Sequence, residues 1–202
     1  MKKIVIFSML VASFLFAKDI QKAYYKSYNY EKMGDYKDAI KSLIPVYKKY
    51  PKGYTLNLRL GYLFLLEKKY TNSLEHYKKA TTIAPYSIEA KLGLVKNYLQ
   101  TNKIDNVLSI TDSIIKMDYY NYYGNFYQLL ALKLKKQSKE AIKIANKMLA
   151  LYPTNIMFLQ ELAKLEYADN KSRGIKIFKD ILILDPNNIM AKEYLEKWRY
   201  FC

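Results

Sequence analysis

Few side chains in this chain could do acid–base or nucleophilic chemistry. His76 is the only histidine, and the single cysteine is the last residue. Catalytic triads and zinc sites draw on histidine and cysteine, so neither can be assembled here in the ordinary way. Carboxylate pairs do occur, as Asp35 with Asp38 and Glu161 with Glu166, but on solvated helix ends such pairs are usually surface charges. We therefore predict a protein that is not an enzyme and that needs no cofactor or metal ion.

The charge of the chain raises a second possibility, binding to an anionic polymer. The 34 lysines and arginines against 18 acidic residues give a formal net charge of +16 at pH 7. However, only Arg59, Arg173 and Arg199 are arginines, and arginine is the residue suited to bidentate phosphate recognition. The lysines are spread along the whole chain without a single basic block. We therefore expect no nucleic-acid partner and keep electrostatic binding to an anionic polymer or membrane surface as the alternative function.

The first seventeen residues have the layout of a secretory signal peptide. Lys2 and Lys3 precede an apolar run from Ile4 to Ala17, and a polar sequence follows. The run is shorter than the roughly 20 apolar residues that span a bilayer. We predict cleavage after Ala17, although Leu15 occupies the place where a small residue is preferred, and hence a periplasmic protein. The alternative is a retained anchor in the inner membrane with the rest of the chain facing the periplasm, and membrane contact is expected only in that case.

The one cysteine bears on the same question of compartment. Cys202 is interpreted as an incidental free thiol, and the alternative is an intermolecular disulfide in an oxidising compartment.

The elements that carry these residues follow from an internal period. Pro51, Pro85 and Pro153 are separated by 34 and then by twice 34 residues, Tyr119 stands at the missing place, and Pro186 comes one residue early. Each period contains two amphipathic stretches of about 13 residues around a short polar turn, which predicts a helical hairpin. We number the hairpins as repeats 1 to 5, at residues 20–53, 54–87, 88–121, 122–155 and 156–188. The last segment, 189–200, is an amphipathic stretch typical of a capping helix.

Repeat 2 shows the sequence pattern of these hairpins most clearly. Leu60-Gly61 lies on its first helix (helix A), Tyr77 and Ala80 lie on its second (helix B), and Pro85 follows. This pattern resembles the tetratricopeptide repeat family, and repeat 3, where Val95, Val107 and Tyr119 replace the glycine, alanine and proline, resembles it least. The resemblance implies an all-α fold, a right-handed α-solenoid of about five tetratricopeptide-like hairpins plus the C-terminal capping helix. The stretch GDYKDAI, residues 34–40, is then the turn from helix A to helix B in repeat 1.

Two further expectations concern helix ends and contacts. Small residues such as Gly61, Ala39 and Ala163 should lie where two helices approach closely. Residues that follow each helix B should cap the next helix A, namely Gly53, Ser87, Asn121, Asn155 and Asn188. Pro45 does not follow the pattern, because it falls inside helix B of repeat 1.

The resemblance also implies where a partner would bind. In the family a concave groove is lined by positions 2, 5, 9 and 12 of the A helices. The matching residues that we predict to form the groove are Tyr24, Tyr28, Leu58, Tyr62, Leu65, Leu92, Lys96, Leu99, Tyr123, Phe126 and Leu130. They are mostly apolar or aromatic, so the predicted function is a scaffold or adaptor that binds a protein or peptide there. Any one of them could instead pack between neighbouring A helices.

The family's carboxylate clamp is not matched. At its positions this chain has Tyr24, Tyr28, Arg59, Glu89 and Gly93, where the clamp requires lysine, asparagine and arginine. Binding of chaperone C-terminal tails is therefore not implied.

Overall fold

The computed structural model describes residues 18–199, with Arg199 described by its backbone only. The predicted signal peptide, residues 1–17, and Cys202 lie outside these residues. The described residues form eleven helices and no strand, and none of these helices is long and apolar enough to cross a bilayer. The helices are α1 (18–32), α2 (Tyr36–Lys49), α3 (Tyr54–Leu66), α4 (Tyr70–Ile83), α5 (Ile88–Gln100), α6 (Ile104–Met117), α7 (Tyr122–Leu134), α8 (Ser138–Leu151), α9 (Ile156–Asp169), α10 (Lys171–Leu184) and α11 (Ile189–Arg199).

The chain divides into two compact units. The N-terminal unit covers residues 1–101, of which α1 to α5 are described, and the C-terminal unit covers residues 102–202, with α6 to α11. The boundary falls between the two helices of repeat 3, where the sequence pattern is poorest. Each unit is described by itself below.

The turn from helix A to helix B recurs with the same backbone conformation. Gly34, Lys68, Asn102 and Lys136, each 34 residues from the next, all have positive φ, between 54° and 76°. In the first turn the Asp35 amide donates to the Tyr30 carbonyl at 2.9 Å, a bond that closes helix α1 in the manner of a Schellman motif. Asp35 then caps α2, because its Oδ1 accepts a hydrogen bond from the Asp38 amide at 3.0 Å. GDYKDAI is therefore a joint between two helices.

Repeat 5 has lost its residue from this joint. Asn170 alone connects α9 to α10, with φ −142°, so no residue in the left-handed region is needed there. Its side chain accepts from the Arg173 amide at 3.2 Å and so caps α10. The two helices of this hairpin consequently approach each other more closely, as Gly174 shows below.

The predicted caps of the A helices are present wherever the residue has a polar side chain. Ser87, Asn121, Asn155 and Asn188 each accept a hydrogen bond from an amide three residues ahead, at 2.9–3.2 Å. Gly53 offers no side chain and only adopts the extended backbone of a cap.

Small residues are buried where helices meet, as expected. Ala39, Ala80, Ala141 and Ala163 are all inaccessible to solvent. Gly61 lies against the ring of Tyr77, where an added Cβ would come within 2.8 Å of Cδ1. Pro45 does lie inside α2, on an exposed face, so it cannot donate to the carbonyl four residues earlier.

Ser73 shows that a buried small residue must also be apolar. It occupies the place of Ala39 and Ala141, it is fully buried, and its hydroxyl has no hydrogen-bond partner. Burying an unpaired hydroxyl costs free energy that alanine does not, so Ser73→Ala is expected to raise the free energy of unfolding by about 1 kcal/mol. Urea unfolding followed by circular dichroism measures it. The matched control is Ser42→Ala, which removes a hydroxyl that is bonded to the Asp38 carbonyl at 2.8 Å. A gain in the control and none in Ser73→Ala would contradict this account.

Candidate functional site

The predicted groove residues all lie on A helices, and none of them is fully buried. Tyr28, Tyr62 and Tyr123 are 49%, 37% and 54% exposed. Lys96 is also exposed, and the other seven are half-buried. Eight of the eleven belong to the N-terminal unit, and three, Tyr123, Phe126 and Leu130, belong to the C-terminal unit.

Arg59 organises the groove side of the N-terminal unit. It lies on α3, is buried, and donates from Nε and Nη2 to the Ser27 hydroxyl on α1, at 3.2 and 2.9 Å. Its Nη2 also lies 2.9 Å from Glu31 Oε2, an ion pair without hydrogen-bond geometry. The guanidinium carbon is 3.5 Å from the centroid of the Tyr28 ring. One buried cation thus fixes three side chains of the neighbouring A helix.

The tyrosines beside Arg59 are kept neutral. Partial burial, and after it the Glu31 carboxylate, raises the pKa of Tyr62. Partial burial likewise raises the pKa of Tyr24, against the opposing effect of Arg59. These rings therefore offer an apolar face and a hydroxyl that can donate or accept a hydrogen bond.

The arrangement can bind a ligand by stacking and apolar contact better than by charge. Because Arg59 is already engaged by Ser27, Glu31 and the Tyr28 ring, it is not available to clamp a carboxylate. Gly93, the last of the clamp positions, faces the ring of Tyr77, since an added Cβ would lie 2.2 Å from Tyr77 Cε1. The geometry agrees with the sequence in excluding the family's clamp.

In the C-terminal unit the predicted groove residues share their role with the core. Phe126 and Leu130 pack against the buried cluster that contains Phe158, and the Phe126 and Phe158 rings meet edge to face at 5.6 Å. Tyr24 in the N-terminal unit packs on its own core in the same way. Tyr123 remains exposed, with its ring stacked on Tyr127 at 6.3 Å.

The interpretation of Glu161 as a surface charge is wrong. Glu161 is 7% exposed and accepts hydrogen bonds from Lys133 and from Lys164, the latter at 2.6 Å. Burial alone would raise the pKa of its carboxyl, but the bonds and charges of the two lysines hold the pKa below its ordinary value. The pair of Lys133 with Glu161 matches Glu31 with Arg59, 28 residues apart in both cases but with the charges exchanged. Opposite charges at a separation of 28 were the signal that could have found it.

His76 is buried and serves the packing of α4 rather than chemistry. Its ring stacks on Phe64 at 5.3 Å, and its Nδ1 lies 2.9 Å from Asn57 Oδ1. Among the residues that the structure describes, no group of three or more histidine, cysteine, aspartate or glutamate side chains is placed to hold a metal ion.

Comparison with known proteins bears on the fold. The model of the tetratricopeptide repeat family matches residues 26–88. No curated protein sequence is detectably similar to the chain.

Several solved structures have the same fold. A tetratricopeptide repeat protein from Parabacteroides merdae has a TM-score of 0.79 at 18% identity, covering 88% of this chain and 71% of its own. MamA from Desulfovibrio magneticus RS-1, residues 41 to the end, has a TM-score of 0.74 at 14% identity, covering 85% of this chain and 97% of its own. YrrB, described as a tetratricopeptide repeat protein with an unusual peptide-binding site, has a TM-score of 0.71 at 10% identity, covering 92% and 97%.

These likenesses confirm the predicted fold class, an all-α solenoid of tetratricopeptide-like hairpins. The chain therefore carries tetratricopeptide repeats, which its sequence shows over residues 26–88 and its fold shows over most of its length.

Proposed function

We propose that this protein binds a protein or peptide through the aromatic groove residues of its N-terminal unit. The tetratricopeptide repeat fold indicates a protein–protein interaction scaffold. What supports the specific site is the arrangement of Tyr28, Arg59 and Glu31, which holds exposed aromatic rings in place before a partner arrives. Preorganised aromatic anchors lose little conformational entropy on binding and are typical of interface hot spots. The solved structure of YrrB, which has an unusual peptide-binding site, supports a peptide ligand by analogy.

The test compares tyrosines in two places. We expect Tyr62→Ala to weaken binding of a partner captured from an envelope fraction by about 1 kcal/mol or more, roughly fivefold in Kd. Tyr28→Ala should do the same. Tyr86→Ala is the matched control, because Tyr86 is 84% exposed on a turn and lies at none of the groove positions. Quantitative mass spectrometry of the captured proteins, followed by titration of the leading one, gives the measurement.

The alternative function, electrostatic binding to an anionic polymer or membrane surface, predicts a different salt dependence. Its affinity would fall by orders of magnitude between about 50 and 200 mM salt if many charges were neutralised. Groove binding through tyrosines should change little over that range. A partner that is lost with salt and retained by both tyrosine variants would refute the groove and support the alternative.

We further propose that the protein is exported to the periplasm of a bacterium and loses residues 1–17 there. The support is the order of basic, apolar and polar segments up to Asp19. The intact mass of protein isolated from its native envelope should correspond to a chain that starts near Lys18. A full-length mass in the membrane fraction would instead establish the retained anchor.

A further inference from the structure

A groove separate from the aromatic one runs between α1 and α2. Its volume is about 530 Å³. Its floor is mainly apolar and includes Ala23, Tyr30, Pro45 and Val46, and its edges carry lysines such as Lys26 and Lys41. We call it the outer groove. It includes Pro45, whose place inside α2 the tetratricopeptide pattern does not explain.

The repeat itself shows what such a groove is shaped to hold. Residues 34 positions later form the corresponding face of the hairpin α3–α4, and α2 covers that face. The ring of His76 lies 5.0 Å from the ring of Tyr47 on α2, and Lys79 donates to the Tyr47 hydroxyl at 2.6 Å. Leu60, which corresponds to Lys26, is fully buried there. The outer groove is thus the seat of a helix about 14 residues long, placed as α2 is placed on repeat 2.

The start of α1 argues that this helix comes from another molecule. In the later repeats, the places that correspond to residues 18 and 19 form the turn that leads from helix B into helix A, as at residues 52–53 and 86–87. In α1 both residues are helical instead. The described chain therefore does not make the turn that would bring a preceding helix over the groove.

The charges around the outer groove indicate the chemistry of the partner. Lys22, Lys26 and Lys41 contribute to its edges, against Asp19 and Asp38. The aspartate nearest a lysine, Asp38, lies 3.9 Å from Lys41, a distance at which the pair is weak because the lysine side chain is 81% exposed. A second copy of this chain is a poor match, since copies with a net charge of +16 repel each other. We propose that the outer groove binds an acidic amphipathic helix of another protein, with apolar residues on the floor and carboxylates beside the lysines.

The probe for the test is a synthetic peptide based on α2. It has the sequence of residues 36–49 with the four lysines changed to glutamate and Pro45 to alanine. Its partner peptide carries only the proline change. Because a free helix of this length is marginal in water, the affinity will be modest, and we expect the acidic peptide to bind the full chain at least tenfold more tightly than the basic one. Fluorescence anisotropy of the labelled peptides measures both.

Variants of the protein locate the binding. Ala23→Arg should reduce the affinity for the acidic peptide at least tenfold by filling the floor. Since that change also touches the core, the double variant Lys26→Glu with Lys41→Glu is the second measurement, with an expected loss of at least fivefold. Lys143→Glu, on an exposed face of α8, is the matched control and should leave the affinity unchanged. Tyr62→Ala should leave it unchanged as well, which separates this site from the aromatic groove.

Four results would overturn the proposal. One is no binding of the acidic peptide below about 1 mM, the range of the weakest specific complexes. Another is equal binding of the two peptides, or binding that the edge variants do not change. A third is binding by a chain that starts at Lys18 but not by the full chain, which would assign the groove to residues 1–17. The last is a dimer in sedimentation experiments that Ala23→Arg abolishes, which would assign it to a second copy.

Discussion

Gly174→Ala is expected to lower the free energy of unfolding by about 3 kcal/mol, the upper end of the range for overpacking a well-packed contact. A Cβ at Gly174 would lie 2.4 Å from the Cβ of Tyr167 and 2.5 Å from its Cα and N. Two of these atoms are backbone, so no side-chain rotation can relieve the overlap. The cause is the single-residue joint at Asn170, which brings α10 closer to α9 than the longer joints of the other repeats allow.

The control for this prediction is Gly34→Ala. An added Cβ there meets nothing within 4 Å, and the expected loss is only the cost of positive φ, about 1 kcal/mol. Trp198, the only tryptophan, lies in α11 next to the affected hairpin, so its fluorescence during urea unfolding reports on the C-terminal unit. An unchanged unfolding midpoint for Gly174→Ala would show that the helices separate easily, and the close approach would then not be a constraint on the sequence.

Acidification should destabilise the N-terminal unit through His76. Burial, reinforced by the charge of Lys79, lowers the pKa of His76 from 6.5 to about 4, while Glu75 opposes the shift. The unfolded chain therefore takes up a proton on this residue as the pH falls below 6.5, before the folded chain does. Stability contributed by the neutral ring is fully present above pH 6.5, declines as the pH falls towards 4, and changes no further below that. The full loss corresponds to about 3 kcal/mol.

The hydrogen bonds around His76 explain why the charged form is disfavoured. Asn57 Nδ2 donates to the carbonyls of Pro51 and Gly53 at 2.8 and 2.9 Å, which turns its Oδ1 towards the ring. The neutral imidazole must then carry its proton on Nδ1 to donate to that oxygen. Protonation of Nε2 gains no bond to Asn57 and leaves a positive charge between the rings of Phe64 and Tyr47.

The measurement is direct because the chain has one histidine. An NMR titration of the imidazole carbons gives its pKa without ambiguity. Urea unfolding between pH 7.5 and 4 should show the loss in the wild type, and His76→Phe should remove that part of the pH dependence while keeping the stack on Phe64. A titration near 6.5, or the same pH dependence in both proteins, would mean that the ring is solvated.

How much the sequence predicts can be judged from particular residues. The joint at Gly34 recurs at Lys68, Asn102 and Lys136 because the same short-range requirements recur: one residue with positive φ, a cap and a small apolar residue on the next helix. Such requirements depend on neighbours a few positions away, so they are visible as a period of 34. The tetratricopeptide resemblance and the all-α fold class followed from them and are confirmed. The assignment of the groove residues to a binding role remains a prediction.

The sequence by itself determined the hairpins, their joints and their caps, since each is a local interaction of the backbone with nearby side chains. Only the tertiary structure decided which charged and polar groups are buried. Glu161 and Arg59 look like solvated helix residues from their neighbours along the chain, and His76 looks like a residue on the surface or only partly packed. Their burial depends on a partner in another helix, 28 residues away for both charged residues and 19 for the histidine. A buried charge is tolerated only where an opposite charge meets it, and that meeting is a property of how the helices pack.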